Sequence, residues 1–222
     1  MTLALFDLDH TLLSGDSDLL WCRFGVRHGL FPADPLAHGD SLDAGYRAGS
    51  VSVLEFCSFH AALLAGRSPA FWEPWRERFL HDEVLPRIPA DARALLANHR
   101  AQGHRLVLTT ATNRLIAEKT AAALAIPHLI ATEVEQVDGL YTGRLDGTPN
   151  MREGKVERLQ VWLAAQGLGA DRLAKAWFYS DSTNDLPLLS AVGHPVAVDP
   201  DARLLAHAQA QGWPVLQLRR GA

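Results

Sequence analysis

The chain opens with an apolar run, Leu3-Ala4-Leu5-Phe6, that ends on two carboxylates, Asp7 and Asp9, with Leu8 between them. A strand apolar on both faces must be covered on both faces, which predicts a parallel sheet sandwiched between helices. Open sheets of this kind place their ligands beyond the carboxyl ends of the strands, where Asp7 and Asp9 fall. Two acids at a buried edge are costly unless a cation or a reaction uses them. One carboxylate can attack an electrophile and the other can carry a proton.

The rest of the pattern supports that sheet. From residue 17 to about 85 the chain is helical in character, with helices predicted over Ser17–His28, Val51–Leu64 and Pro69–Glu83 and breakers at Pro32, Pro35 and Gly39. Pro86 and Pro89 precede another helix, Ala90–Ala101. After Gly103, strands and helices alternate: strand His104–Thr109, helix Arg114–Leu124, strand Leu129–Thr132, helix Lys155–Gln166 and strand Ala176–Ser180. Leu186–Ala191, Val196–Val198, Ala202–Gln211 and Val215–Leu218 continue the alternation. Val134–Leu145 reads as a hairpin on Asp138-Gly139. The fold class is therefore α/β, a doubly wound parallel sheet with a helical insertion after the first strand. Residues 1–15 and 86–222 are assigned to the core and 16–85 to the helical insertion. Links near Ser14-Gly15 and Pro86–Pro89 join the insertion to the core and are the expected hinges between them.

Bulk properties exclude several classes. With 222 residues, 48% hydrophobic content and a net charge of −4, the chain is expected to be globular and carries no basic excess for nucleic acid or anionic membrane. Cys22 and Cys57 fit neither a zinc spacing nor a disulfide framework. The N-terminus lacks the basic region of a signal peptide, and no stretch is apolar and long enough to span a bilayer. A cytoplasmic location is the expectation.

Four groups recur at strand ends or helix starts: Asp7 with Asp9; Thr109-Thr110-Ala111-Thr112-Asn113; Lys155 behind Gly154; and Asp181-Ser182-Thr183-Asn184-Asp185. They supply acids for a hard divalent cation, a hydroxyl near a helix N-terminus, and a fixed positive charge. That inventory suits phosphoryl transfer, in which catalysis is mostly positioning and charge neutralisation.

In this order, Asp7-Leu-Asp9-His-Thr11, Thr110, Lys155 and Asp181 to Asp185 resemble the four motifs of the haloacid dehalogenase (HAD) superfamily of phosphatases. The early helical insertion is similar to the C1-cap members, which include phosphoserine phosphatase. Thr11 to Asp18 followed by Trp21 looks most like a histidinol-phosphatase-like or phosphatidylglycerophosphatase-like branch. The chain departs from many relatives in having Ser180-Asp181-Ser182 for Gly-Asp-Gly and Thr110 for Ser. The resemblance implies that Asp7 is the nucleophile, forming an aspartyl-phosphate, and that Asp9 is the acid-base group. It implies Mg²⁺ held by Asp7, the carbonyl of Asp9 and Asp181, with Asp185 beside the metal through a water or by holding Lys155. Thr110 and Lys155 would bind the phosphoryl group, and Asn184 lies with them on the substrate side. The implied partner is a small phosphorylated metabolite, with histidinol phosphate or phosphoserine first. Phosphatidylglycerophosphate, or a non-catalytic sensor role, is the alternative.

Other residues have two readings. Asp16 either caps the first cap helix or faces the substrate and pairs with an amine, the second reading resting on resemblance to phosphoserine phosphatases; Ser17 is an equal cap candidate. Thr110, Thr112 and Asn113 are each candidate caps for the next helix. Tyr46 and Arg47 are weighed as substrate contacts against surface placement. Phe71, Trp72 and Trp75 read as cap core, His10 as a neighbour of the site, and Glu133, Glu135 and Asp138 as decoration of an exposed hairpin.

Overall fold

The computed structural model describes residues 2–32, 39, 41–42, 45 and 50–218. Tyr46 and Arg47 lie outside the described residues. Eight strands follow in chain order: β1 (Leu3–Phe6), β2 (Arg105–Asn113), β3 (His128–Thr132), β4 (Val134–Val137), β5 (Leu140–Leu145), β6 (Trp177–Ser180), β7 (His194–Val198) and β8 (Val215–Leu216). Six form one sheet in the order β3-β2-β1-β6-β7-β8, and every pairing in it is parallel. The chain thus runs outward from β1 to one edge and then returns to fill the other side. That reversal leaves the crevice at the carboxyl ends of β2, β1 and β6, where ligands of such sheets bind.

The helices described are α1 (Ser17–Arg27), α2 (Val53–Ala62), α3 (Pro69–Phe79), α4 (Ala90–Ala101), α5 (Arg114–Ala123), α6 (Glu153–Ala165), α7 (Leu186–Leu189) and α8 (Ala202–Gln211). Polar caps set several of their starts. Asp16 accepts from the Leu19 N–H, Ser52 and Glu55 form a capping box, and Ser68 caps α3 ahead of Pro69. Asn113, rather than Thr110 or Thr112, caps α5, so β2 runs four residues beyond the apolar stretch ending at Thr109. The Asp138-Gly139 turn joins β4 to β5 with both residues at positive φ, 50° and 76°.

Period-two alternation divides β1 between two cores. Leu3 and Leu5 pack with Val107, Phe178, Leu159 and Leu204 on one face; Ala4 and Phe6 pack with Leu108, Leu115 and Ile116 on the other. The second core continues into the early helices. Trp21 on α1 meets the Phe79 ring edge-on at 5.0 Å and Trp72 at 5.7 Å. Arg76 on α3 donates to the Leu115 carbonyl at 2.6 Å and pairs with Glu118, while Lys119 pairs with Glu73 and Glu77. The early helices are therefore docked on α5. The Ser14 N–H donates to the Arg87 carbonyl at 2.8 Å, so the two chain crossings expected to act as hinges are hydrogen-bonded to each other.

Two expectations are corrected. Trp72 is buried, but Phe71 is exposed, with the Arg67 guanidinium 4.7 Å from its ring centroid. Adjacent helical positions point about 100° apart, and on α3 the Trp72 side of the pair is the one that faces the core. Glu133 is not decoration: it accepts from Arg114 at 2.7 Å and from Arg158 at 3.3 Å.

Candidate active site

Asp7 follows β1, Thr110 lies in β2 and Asp181 follows β6, so three adjacent strands deliver them to one sheet edge. There a cleft of about 630 Å³ opens, lined by Asp7, Asp9, Asp16, Asp18, Lys155, Asp181, Asn184 and Asp185 among others. Its floor is ionic. The Lys155 ammonium donates to Asp7 Oδ1 and to Asp185 Oδ2, both at 2.7 Å, and all three residues are buried. Ser180 Oγ also donates to Asp185 Oδ2 at 2.7 Å. Burial by itself would drive the Lys155 proton off, but Asp185 and Asp7 outweigh it and hold the ammonium above its ordinary pKa.

Backbone geometry aims Lys155 inward. The turn before α6 places Arg152 at φ 51°, and the Gly154 N–H donates to the Met151 carbonyl at 2.9 Å. A Cβ on Gly154 would fall 2.2 Å from the Pro149 carbonyl oxygen, so no larger residue fits without shifting this turn.

Asp9 is held by donors that the residue pattern does not reveal. Its Oδ1 accepts the Ser17 N–H at 2.7 Å, and its Oδ2 accepts the Thr112 hydroxyl at 2.7 Å. The Ser17 and Thr112 hydroxyls are 2.9 Å apart. The N-terminus of α1 thus fixes one carboxylate through Ser17 and a second, Asp16, through Leu19. Asp16 takes both of its readings: it caps α1 and lines the cleft. His10, at φ 55°, lines the cleft beside Asp9.

Thr110 sits behind the wall. It is fully buried, its hydroxyl accepts the Thr112 N–H at 3.1 Å, and Ala111 rather than Thr110 lines the cleft. As a hydroxyl it still has its own proton to donate. Asn184 lines the cleft and accepts from Arg152 Nε at 3.2 Å. Thr11 ties two loops together: its hydroxyl donates to Asp181 Oδ1 and accepts the Asp181 N–H, each at 3.0 Å. Asn150, on the loop before α6, donates from Nδ2 to Thr109 Oγ1 at 3.0 Å and to the Thr110 and Ile130 carbonyls at 2.9 Å. It fills the gap where the β2–β3 ladder shifts register between Thr109 and Asn113. Its setting, Gly147-Thr-Pro-Asn150, reads only as a loop, so nothing in the sequence singles it out.

The electrostatics call for a further cation. The described residues lining the cleft include eight aspartates against Arg152, Lys155 and Arg203. Burial, with Asp185, Asp181 and Asp9 nearby, raises the Asp7 carboxyl above its usual range although Lys155 opposes the shift. Burial and the Asp185 charge push Asp181 up to about 7. Adding a dianionic phosphate to such a cleft is unfavourable unless positive charge comes with it. No cluster of three or more His, Cys, Asp or Glu side chains among the described residues forms a complete metal cage. Few carboxylates, all-oxygen donors and space for water are what Mg²⁺ takes, and these residues fit it.

A family model described as haloacid dehalogenase-like hydrolase matches residues 4–190. The chain belongs to that family. It is 38% identical to a histidinol-phosphatase of Neisseria meningitidis, over 98% of this chain and 99% of that one. It is 32% identical to phosphoserine phosphatase SerB1 of Mycobacterium tuberculosis, over 97% of this chain and 70% of that one. A crystal structure of a protein of unknown function from Bordetella pertussis superposes with a TM-score of 0.92 at 44% identity, covering 97% of this chain and 99% of that one. This HAD-family chain is a phosphoric monoester hydrolase, of a kind similar to histidinol- and phosphoserine-phosphatases. HAD phosphatases generally use Mg²⁺ and act on small phosphorylated metabolites. No helix among the described residues is long and apolar enough to cross a membrane.

Proposed function

We propose that this hydrolase removes phosphate from a small amine-bearing metabolite, histidinol phosphate before phosphoserine, through an aspartyl-phosphate on Asp7. The observation that carries the chemistry is the buried Asp7–Lys155–Asp185 array beside an Asp9 carboxylate held at both oxygens. The substrate order follows the 38% identity to a histidinol-phosphatase over nearly the whole chain.

In this reading an Asp7 oxygen attacks phosphorus and the bond from phosphorus to the alcohol oxygen breaks. Asp9 gives its proton to that leaving oxygen, then takes a proton from the water that attacks the aspartyl-phosphate. Lys155 holds the phosphoryl oxygens as charge shifts between them, and the Thr110 hydroxyl, buried behind the Ala111 lining, joins it only when that lining shifts. Asp185 keeps Lys155 protonated and aimed. Asp7, the Asp9 carbonyl and Asp181 would hold Mg²⁺, which would supply the positive charge an anionic nucleophile needs to meet an anionic phosphate. Asn184 and Arg152 border the phosphate end of the cleft.

Phosphate release with Mg²⁺ from histidinol phosphate, phosphoserine and phosphatidylglycerophosphate tests the proposal, with Asp7→Asn as the control. Histidinol phosphate is expected to lead, with release abolished in Asp7→Asn. Asp9→Asn is expected to lose roughly 10²–10⁴-fold. Release that survives Asp7→Asn would refute the nucleophile. A preference for phosphoserine or the lipid phosphate would overturn the substrate. Ligand binding with no turnover of any compound would favour a sensor.

A further inference from the structure

We propose that Asp18 is the counter-ion for the protonated amine of the substrate, set on the leaving-group side of the cleft. This inference rests on the phosphatase reading, with Asp7 and Asp9 in their proposed roles.

Asp18 is 5% exposed and lines the cleft. Its Oδ1 is enclosed and has no hydrogen-bond partner. Its neighbours in the site are not in that position. Asp9 has donors on both oxygens, Asp16 accepts the Leu19 N–H, and Asp7 and Asp185 share Lys155. A carboxylate in the first turn of a helix gains from the helix dipole, but an exposed one gains as much without losing its water. Burying a carboxylate oxygen with no donor is unfavourable unless a partner arrives.

The charges around Asp18 say which partner and from where. Burial raises its carboxyl pKa well above the usual range, and the charges that add to this are Asp16 and Asp9. The charges acting on Asp7 are Lys155, Asp185, Asp181 and Asp9. Asp9 is common to both sets. Asp9 also accepts the N–H of Ser17, which lies between Asp16 and Asp18, while Asp7 accepts from Lys155, so Asp9 marks the α1 end of the site and Asp7 the Lys155 end. A phosphomonoester whose phosphorus lies at Asp7 presents its leaving oxygen to Asp9, so the organic group extends toward Asp18. Three acids converge there and, among the described residues, no cation is among the charges acting on Asp18, so a cationic leaving group fits and a second anion does not. Phe56 lines the same cleft and supplies an apolar surface for the carbon skeleton. Cys57, beside Asp18, is held as a neutral thiol, its pKa pushed up to about 12 by burial and by the Asp18 charge. It does not compete as a counter-ion.

The test compares histidinol phosphate with its des-amino counterpart, imidazolyl-propyl phosphate, in the wild type and in Asp18→Asn. The readout is the ratio of the two kcat/KM values within one preparation, so any general loss of activity cancels. A charged hydrogen bond predicts that the wild type favours the amine by about 10- to 100-fold, mainly through KM. In Asp18→Asn the ratio is expected to fall to within about threefold of unity. Asp16→Asn retains a good N-cap and is expected to change the ratio less. The two product alcohols, histidinol and its des-amino form, are also measured as inhibitors of p-nitrophenyl phosphate hydrolysis. That gives the same ratio without turnover of either phosphate, and it serves in the wild type alone if Asp18→Asn does not fold. Equal use of amine and des-amino compounds by the wild type, or an unchanged ratio in a folded Asp18→Asn, would overturn the assignment. Failure to hydrolyse histidinol phosphate while histidinol still inhibits better than its des-amino form would strike the substrate named above and leave Asp18 in its role.

Discussion

Replacing Asn150 with Ala tests whether a loop amide holds the catalytic end of β2 in place. The Asn150 side chain is fully buried, and its Nδ2 meets Thr109 Oγ1, the Thr110 carbonyl and the Ile130 carbonyl at 2.9–3.0 Å. An amide nitrogen has two hydrogens, so two of these contacts are full hydrogen bonds and the third is shared. Leaving two buried acceptors without donors costs about 1–3 kcal/mol each. Asn150 Oδ1 has no partner, so losing the side chain also removes one unsatisfied acceptor, an opposing effect of similar size. The net loss, with the cavity left behind, is about 2–4 kcal/mol. For a chain of this size each kcal/mol lowers Tm by about 2–4 °C, which gives a fall of roughly 4–16 °C. Thermal unfolding followed by circular dichroism measures it. Because one of the released carbonyls is that of Thr110 itself, kcat for any phosphomonoester is expected to fall even well below the new Tm. A shift under about 2 °C with unchanged kcat would show that the ladder gap is satisfied without Asn150, and that the reasoning is wrong.

Two further outcomes follow from the same hydrogen bonds and burial. Thr112→Val removes the 2.7 Å donor to Asp9 Oδ2 and is expected to lower kcat roughly 10- to 100-fold with little change in KM. Thr112→Ser keeps the hydroxyl and should retain most of the activity, so equal kcat for the Val and Ser variants would exclude the positioning role. His60 is 3% exposed and burial lowers its pKa from 6.5 to about 4. The folded state therefore binds fewer protons than the unfolded chain between these values. The stability from a neutral His60 is complete above pH 6.5 and is lost as pH falls toward 4, by about 2 kcal/mol at pH 5. Urea unfolding at pH 7 and pH 5 should show this loss in the wild type and a smaller one in His60→Phe; parallel losses would refute it.

The sheet was legible because its signal is local. β1, β6 and β7 are short apolar runs, and β1 and β6 are each followed directly by an aspartate; both facts survive in one dimension. Asp7, Lys155 and Asp185 were legible because their chemistry is unusual at a buried strand end or helix start. Phe71 misled because three aromatics in five residues suggest one apolar face, whereas helical geometry turned one of them outward.

The sequence by itself determined the α/β class, the helical insertion and the set of acids and the lysine available for chemistry, since these follow from periodicity and residue type. Only the tertiary structure decided how each group is held. The Ser17 N–H and Thr112 hydroxyl on Asp9 come from positions 8 and 103 residues away, and the Asn150 amide reaches a strand 40 residues back. It also decided that Asp16 has a backbone donor while Asp18 Oδ1, two residues on, has none. Composition assigns the two acids the same charge. Asp16 finds its donor within α1, as an N-cap does, whereas the burial that leaves Asp18 Oδ1 without one is made by the elements packed around α1.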